Sequence, residues 1–188
     1  MANAVPMRTC GATLAFDRPH PGPLPEGEGV EVAMEVARRA REEGRIVVFT
    51  NGCFDLLHCG HLATLEFARS LGDVLIAAVN SDDSARRLKG AGRPATGAAL
   101  RAASLAALGC VDCVVVFDDD TPAELIGAIR PDVLVKGAEY QGTAVPGSEF
   151  AGRVAFAPMV PGVSTTEILN QIAWEGRIRA EETELGRR

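Results

Sequence analysis

Short apolar runs alternate with helix-like segments along most of the chain. Five runs predict buried strands, at Arg45–Phe49, Asp73–Asn80, Cys113–Phe117, Val133–Lys136 and Arg153–Phe156. The segments between them predict helices, at Leu62–Leu71, at Ala98–Leu108, from Thr121 onward, and from Ser164 to about Ile178. Strands and helices that alternate at this spacing form parallel sheets. The pattern predicts an α/β fold, a single Rossmann-like domain with a five-stranded parallel sheet covered by helices on both faces.

Local signals mark the ends of the elements and divide the chain. Thr121-Pro122-Ala123-Glu124 and Ser164-Thr165-Thr166-Glu167 are both capping boxes, with Thr121 and Ser164 as the N-caps. Alternating prolines before residue 28 exclude regular structure, so we predict a disordered tail at 1–28. An N-terminal helix at 29–44, the α/β domain at 45–178 and a C-terminal tail at 179–188 complete the division. No helix or strand is predicted for the polar stretch Ser81–Gly92.

Composition narrows the class of protein. The net charge of -6 argues against a nucleic-acid binder that grips phosphates with a basic face. The chain shows no apolar run of roughly 20 residues that could span a membrane and no apolar N-terminal segment, so we expect a cytoplasmic protein.

The cysteines do not resemble a disulfide framework. There are five of them, an odd number at scattered positions, namely Cys10, Cys53, Cys59, Cys110 and Cys113. The spacing of Cys110 and Cys113 is compatible with a redox or metal pair, but buried apolar cysteines are the favoured interpretation.

The segment Thr50–His61 carries the clearest chemistry. His58 and His61 lie three residues apart, with Gly60 between them, where a predicted strand turns into a helix. A helix N-terminus has free N–H donors and partial positive charge, and glycine lets a ligand approach the backbone, so this turn predicts a phosphate site. The alternatives are a zinc pair, a Cys/His cluster or two structural histidines.

Three further polar patches follow predicted strands or begin a helix. They are Asn80–Asp82 with the basic residues from Arg86 to Arg93, then Lys136-Gly137, and Gly162–Thr166. Together with the histidines they supply the cations, hydroxyls and amides that can hold a polyphosphate. Each patch also has a simpler interpretation, respectively a solvated helix face, a surface lysine and a helix cap.

These motifs resemble one known family. From about Arg45 to Ile172 the chain is similar to the small cytidylyltransferase-like nucleotidyltransferases, which share the first loop and the Ser164–Ile168 helix start. Within that superfamily it most resembles the adenylyltransferase domain of the bifunctional heptose 7-phosphate kinase/heptose 1-phosphate adenylyltransferase. The segments that carry this likeness are Val79–Asp82, Arg87–Pro94, Asp119–Pro122 and Pro131–Tyr140.

The resemblance implies an enzyme that transfers AMP from ATP, with Mg2+, to a sugar 1-phosphate, most simply D-glycero-D-manno-heptose 1-phosphate. It implies four catalytic residues, His58, His61, Lys89 and Lys136. It implies that the nucleotide is bound by Thr50, Asn51, Gly52, Cys53, Phe54, Asp55, Gly60, Asn80, Arg93, Ser164, Thr165 and Thr166. No metal ligand from the protein is expected, although Asp55 could either lie near Mg2+ or shape the loop. A homodimer is compatible with the resemblance.

Three alternatives remain open. Glycerol-3-phosphate cytidylyltransferases share both motifs but carry an arginine before the late glycine, where this chain has Pro158–Pro161. Another alcohol-phosphate adenylyltransferase is the second. The third is a non-catalytic nucleotide-binding module, which would be indifferent to loss of His61.

Overall fold

The computed structural model describes residues 28–185, and within them one parallel sheet forms the centre of the molecule. Its strands are β1 Val47–Gly52, β2 Val74–Asn80, β3 Cys113–Phe117, β4 Val133–Gly137 and β5 Arg153–Ala157. The helices are α1 Glu28–Glu42, α2 Cys59–Arg69, α3 Asp82–Lys89, α4 Ala98–Ala106, α5 Ala123–Ile129 and α6 Thr165–Leu185. Short 3-10 turns lie at Ala138–Tyr140 and Ser148–Phe150. The strand order is β3-β2-β1-β4-β5.

Helices cover both faces of the sheet. On one face, alanines of α1 and apolar residues of α5 pack with Phe49 and Leu134. On the other, Leu65 of α2 and Leu105 of α4 pack with Val48. Neighbouring residues of a strand point to opposite faces, which is why the continuous apolar runs are buried from both sides. The predicted fold class is therefore confirmed.

Three aspartates fix how the strands align. Asp73, Asp112 and Asp132 each stand directly before a strand. They accept hydrogen bonds from backbone N–H groups, respectively of Ile46 just before β1, Leu75 in β2 and Val47 in β1, at 2.9, 2.8 and 2.7 Å. After β3 the chain crosses the sheet to β4, which pairs with the far side of β1. In such sheets ligands bind beyond the carboxyl ends of the strands, at the point where the strand order reverses.

The structure corrects two predictions around the histidines. Strand β1 runs to Gly52 rather than ending at Phe49, because it stays paired with β2 through Gly52. Helix α2 begins at Cys59 rather than at Leu62, with His58 as its N-cap. His61 therefore lies in the first turn of the helix.

Three other corrections concern helices. The stretch given no element contains α3, which is capped by the Ser81 hydroxyl and has acidic residues first and basic residues last. The predicted capping box at Thr121 is wrong, because the buried Pro122 is the N-cap of α5 and makes no side-chain cap. Helix α6 continues past Ile178 to Leu185.

Two other predictions concern the N-terminal segment and membrane spans. The predicted disorder of residues 1–28 lies outside the described residues apart from Glu28, which begins α1. Among residues 28–185, no helix combines the length and the apolar character needed to cross a bilayer.

Candidate active site

A cleft of about 850 Å3 opens at the carboxyl ends of β1 and β4, where the strand order reverses. The four polar patches, far apart in the sequence, all reach this cleft. Its lining includes every residue predicted for the site, namely Thr50, Asn51, Gly52, Cys53, Phe54, Asp55, His58, Gly60, His61, Asn80, Lys89, Arg93, Lys136, Ser164, Thr165 and Thr166.

His58 is held in place by the helix that it caps. Its Nδ1 accepts a hydrogen bond from the Gly60 backbone N–H at 3.1 Å, which leaves Nε2 as the ring atom that carries a proton. A Cβ on Gly60 would lie 3.0 Å from both Cε1 and Nδ1 of this ring. This contact is tight, so a side chain at position 60 would displace the imidazole by a few tenths of an ångström.

His61 stacks on His58, with ring centroids 3.8 Å apart and 21° between the planes. The Phe54 ring meets His61 edge-on at 5.5 Å. Burial, and then the neighbouring His58, lower the pKa of His61 to about 4, and burial also lowers the pKa of His58. Both rings are therefore neutral at pH 7 and offer N–H donors. The His61 Nδ1 is buried without a hydrogen-bond partner among the described residues, so it is free for a ligand or water.

Lys136 brings a buried amine from the end of β4. Its Nζ donates to Asn51 Oδ1 at 2.6 Å and lies 5.1 Å from the centroid of the Tyr140 ring. The residue is only 6% exposed, and this burial lowers its pKa to about 8. The simpler interpretation of Lys136 as a surface lysine is wrong.

Asp55 is committed to the scaffold. One carboxylate oxygen accepts from Arg93 Nε and Ala95 N, both at 2.9 Å, and the other accepts from the N–H and hydroxyl of Thr96, both at 3.1 Å. Burial opposes ionisation, but these hydrogen bonds outweigh it and hold the pKa of Asp55 below its usual value. Of the two roles left open for Asp55, the geometry favours shaping the loop.

The start of α6 closes one side of the cleft. The Ser164 hydroxyl accepts from Glu167 N at 3.1 Å, so the predicted cap is present. The buried Thr165 hydroxyl donates to the backbone oxygen of Asp55 and ties α6 to the histidine loop, which comprises Thr50–His61. Thr166 is exposed and lines the cleft. The first-turn N–H groups of α6 that no capping side chain takes can receive an anion.

Asn80 and Cys53 contact each other beside the histidine loop. Asn80 Nδ2 donates to Ser84 Oγ at 2.9 Å, and Asn80 Oδ1 lies 3.8 Å from the Cys53 Sγ that donates to it. Burial raises the pKa of the Cys53 thiol. Asn80 therefore holds α3 against the sheet, although it also lines the cleft.

Comparison with known proteins places the chain in a family. The family model described as cytidylyltransferase-like matches residues 49–171, which is more than half of the chain. The chain belongs to the cytidylyltransferase-like family. It is a nucleotidyltransferase, as the sequence motifs predicted.

Several relatives of this cytidylyltransferase-like chain are far longer. It is 52% identical over 145 residues to the bifunctional protein HldE of Sulfurimonas denitrificans, an alignment that covers 77% of this chain and 30% of that protein. It is 54% identical over 140 residues to the HldE of Koribacter versatilis, covering 72% and 29%. The chain thus spans about 30% of the length of these curated relatives.

A solved structure has a similar fold. It is the crystal structure of the lipopolysaccharide core biosynthesis protein from Thermoplasma volcanium GSS1, with 25% identity and a TM-score of 0.51. The match covers 62% of this chain and 99% of that one.

The described residues of this cytidylyltransferase-like chain contain no cluster of side chains that could coordinate a metal ion. Residues 28–185 contain no group of three or more His, Cys, Asp or Glu side chains placed to hold an ion. The described cysteines, Cys53, Cys59, Cys110 and Cys113, are free thiols. Neither finding favours the zinc pair or the Cys/His cluster for the two histidines.

Sequence reasoning missed three features at or beside the site of this cytidylyltransferase-like domain. Arg101 of α4 is only 2% exposed and donates to the backbone oxygen of Cys53 at 2.6 Å. Arginine is mostly exposed in proteins, so the sequence predicts a surface position for Arg101 and gives no sign that it is buried. The segment Pro158–Pro161 lines the cleft, and Tyr140 contributes a ring beside Lys136. The signal that could have found them is their place just after a strand, where the lining of such a cleft is expected.

Proposed function

We propose that this chain transfers AMP from ATP to D-glycero-D-manno-heptose 1-phosphate, giving ADP-heptose and pyrophosphate. One observation carries the transfer chemistry. Two stacked neutral imidazoles, the buried Lys136 amine and the first turn of α6 face a single cleft at the strand-order reversal. The sugar and the base are supported by the motifs shared with heptose 1-phosphate adenylyltransferases and by the similarity to HldE proteins.

The reaction we propose is one in-line displacement. An oxygen of the sugar 1-phosphate forms a bond to the α-phosphorus, and the bond from that phosphorus to the bridging oxygen of pyrophosphate breaks. A phosphate dianion is already a competent nucleophile, so the site needs positioning and charge stabilisation rather than a strong base. Neutral histidines suit this task, because they donate hydrogen bonds without removing a proton.

Each group has a proposed role in that displacement. His58 and His61 donate to triphosphate oxygens, and His61 also stabilises the transition state. The anion raises the pKa of both rings above its value in the free protein, because it favours their protonated form. Lys136 and the exposed Lys89, which both line the cleft, neutralise phosphate charge. The first turn of α6 receives the β- and γ-phosphates.

The residues of the cleft fit a Mg2+ ion that arrives with the nucleotide. Asp55 uses both oxygens within the protein, and Asp120 accepts from Arg87 Nε at 2.6 Å. Mg2+ keeps most of its ligands from phosphates and water and needs few from protein. When bound, it would neutralise charge on the phosphates, while the protein groups above orient them.

The test is pyrophosphate release by purified protein with Mg2+. ATP, CTP and GTP are each combined with both anomers of D-glycero-D-manno-heptose 1-phosphate and with glycerol 3-phosphate. Turnover confined to ATP with a heptose 1-phosphate supports the proposal and fixes the anomer. Turnover with CTP and glycerol 3-phosphate would refute the proposed substrates while keeping the chemistry.

The matched control is His61→Ala, checked for folding by circular dichroism. A catalyst loses turnover in this variant and stays folded. A nucleotide-binding module would show no turnover in either form.

A further inference from the structure

A buried guanidinium joins three separate segments beside the cleft. Arg101 Nη1 donates to the Cys53 backbone oxygen at 2.6 Å, Nε donates to the Thr96 oxygen at 2.8 Å, and Nη2 pairs with Asp82 Oδ1 at 2.7 Å. The side chain is 1% exposed, and Arg101 does not line the cleft. Any effect it has on the reaction must therefore pass through the groups that it holds.

Two sets of hydrogen bonds connect the segment before α4 to the histidine loop, and Thr96 is the donor in one and the acceptor in the other. Thr96 donates from its N–H and hydroxyl to Asp55, while its carbonyl accepts from Arg101, which also holds Cys53. Cys53 and Asp55 lie on either side of Phe54. A carboxylate and a guanidinium, both nearly inaccessible to solvent, thus hold the backbone around a single residue.

That residue has an unusual backbone and a direct contact with the site. Phe54 has φ of 47°, a left-handed conformation that L side chains rarely adopt, so the surrounding contacts must hold it. Its ring is buried and meets His61 edge-on. A displacement of Cys53 would therefore move Phe54, and with it the wall against which His61 rests.

We propose that Arg101 is a positioning residue for nucleotidyl transfer, which sets the place of His61 through Cys53 and Phe54. Removing a buried guanidinium leaves the carbonyl oxygens that it held without their donors and is usually destabilising, so a loss of stability alone would not support this role. The role predicts a loss of activity in molecules that are still folded. This inference rests on the proposed nucleotidyl transfer but not on the identity of the acceptor.

The test compares three variants at a temperature where all are folded. Arg101→Met keeps an apolar stem but removes every donor, and Arg101→Lys keeps the charge and can satisfy fewer acceptors. Ile129→Ala removes a fully buried side chain of α5 on the opposite face of the sheet, as a control for lost stability. Folding is followed by thermal melting, and kcat and KM for ATP by pyrophosphate release.

We expect Arg101→Met to lower kcat/KM roughly 100-fold, the scale of an ångström-sized displacement in an active site. Arg101→Lys should recover part of this loss, and Ile129→Ala should lower the Tm without lowering kcat/KM. Equal kcat/KM for folded Arg101→Met and wild type would overturn the inference. So would an Ile129→Ala variant of equal Tm that loses as much activity.

Two further measurements keep the inference decidable. If Arg101→Met does not fold, Arg101→Lys decides instead, because a single amine cannot reproduce the separate Nη1 and Nε bonds to Cys53 and Thr96; an unchanged kcat/KM in that variant overturns the role. If the wild type releases no pyrophosphate with any acceptor, that result refutes the proposed function but leaves the role of Arg101 to a second measurement. The affinity for ATP, measured by calorimetry, then decides the inference, because a displaced loop must weaken ATP binding in Arg101→Met.

Discussion

Replacing Lys136 by methionine should stabilise the protein while abolishing its activity. Burial lowers the pKa of Lys136 from 10.5 to about 8, so the fold holds a charged amine at a cost when the pH is below 8. At about 1.4 kcal/mol for each pKa unit, that cost is about 3 kcal/mol. The variant also loses the hydrogen bond to Asn51, which destabilises it by about 1 kcal/mol. The expected net gain at pH 7 is therefore about 2 kcal/mol.

The gain should depend on pH in a defined direction. Between pH 8 and 10.5 the unfolded chain still binds the proton that the folded protein has lost, so wild-type stability rises with pH across this window. The advantage of Lys136→Met should shrink over the same window and become a deficit of about 1 kcal/mol above it, because the variant still lacks the hydrogen bond to Asn51. Below pH 8 it should be constant, because the amine is charged in both states.

Thermal melting between pH 6 and pH 10.5 measures the effect. For a domain of this size, about 2 kcal/mol corresponds to roughly 4–8 °C in Tm. The chain has one other lysine, the exposed Lys89, and Lys89→Met should leave the Tm nearly unchanged at every pH. A Lys136→Met variant less stable than wild type at pH 7, or a pH-independent gain, would refute the reasoning. Its pyrophosphate release should be lost at every pH.

Three further predictions concern the histidine loop. Gly60→Ala should lower kcat/KM by about tenfold, less than the roughly 100-fold that a 1 Å displacement can cost, with little change in Tm, because the new Cβ shifts the His58 ring by a few tenths of an ångström; Gly109→Ala, where a Cβ meets nothing within 4 Å, is the matched control. Burial of His61, and then the neighbouring histidine, hold its pKa near 4, so the folded protein should lose up to about 3 kcal/mol as the pH falls from 6.5 to 4. Urea unfolding across that range should show a smaller loss for His61→Ala, and an equal loss in both proteins would contradict the assignment. Asp55→Asn should cost about 2–4 kcal/mol of stability and most of the turnover; restoration of turnover by added Mg2+ would show that Asp55 is a metal ligand after all.

The parallel sheet and the meeting of the polar patches could be predicted, because both follow from periodicity. A strand buried on two faces needs an unbroken apolar run, and parallel strands bring their carboxyl ends to one edge. Helix α3 escaped prediction because it is stabilised by the Ser81 cap and by charges at its ends rather than by an apolar stripe. Its eight residues include only two apolar ones, Ala85 and Leu88, which are too few to show an apolar period.

The direction in which polar side chains face could not be predicted. Asp55, Asn80 and Thr165 all lie at the cleft, as expected, but each carries hydrogen bonds to the scaffold. Their partners come from distant segments; Thr96, for example, lies 41 residues after Asp55. A single motif shows which groups reach a site, but whether each faces a ligand or the protein depends on donors elsewhere in the chain.

Helix α1 has a practical consequence for anyone who wishes to transplant or dissect this domain. The family match begins at residue 49, yet Ala33, Ala37 and Ala40 of α1 are buried in the core on one face of the sheet. Arg41 also donates to the last carbonyls of α5, at 2.9 and 3.2 Å. A version trimmed to the matched residues would expose that apolar face to water and should aggregate. We therefore expect the smallest active piece to begin with α1, some twenty residues ahead of the motif that predicts its chemistry.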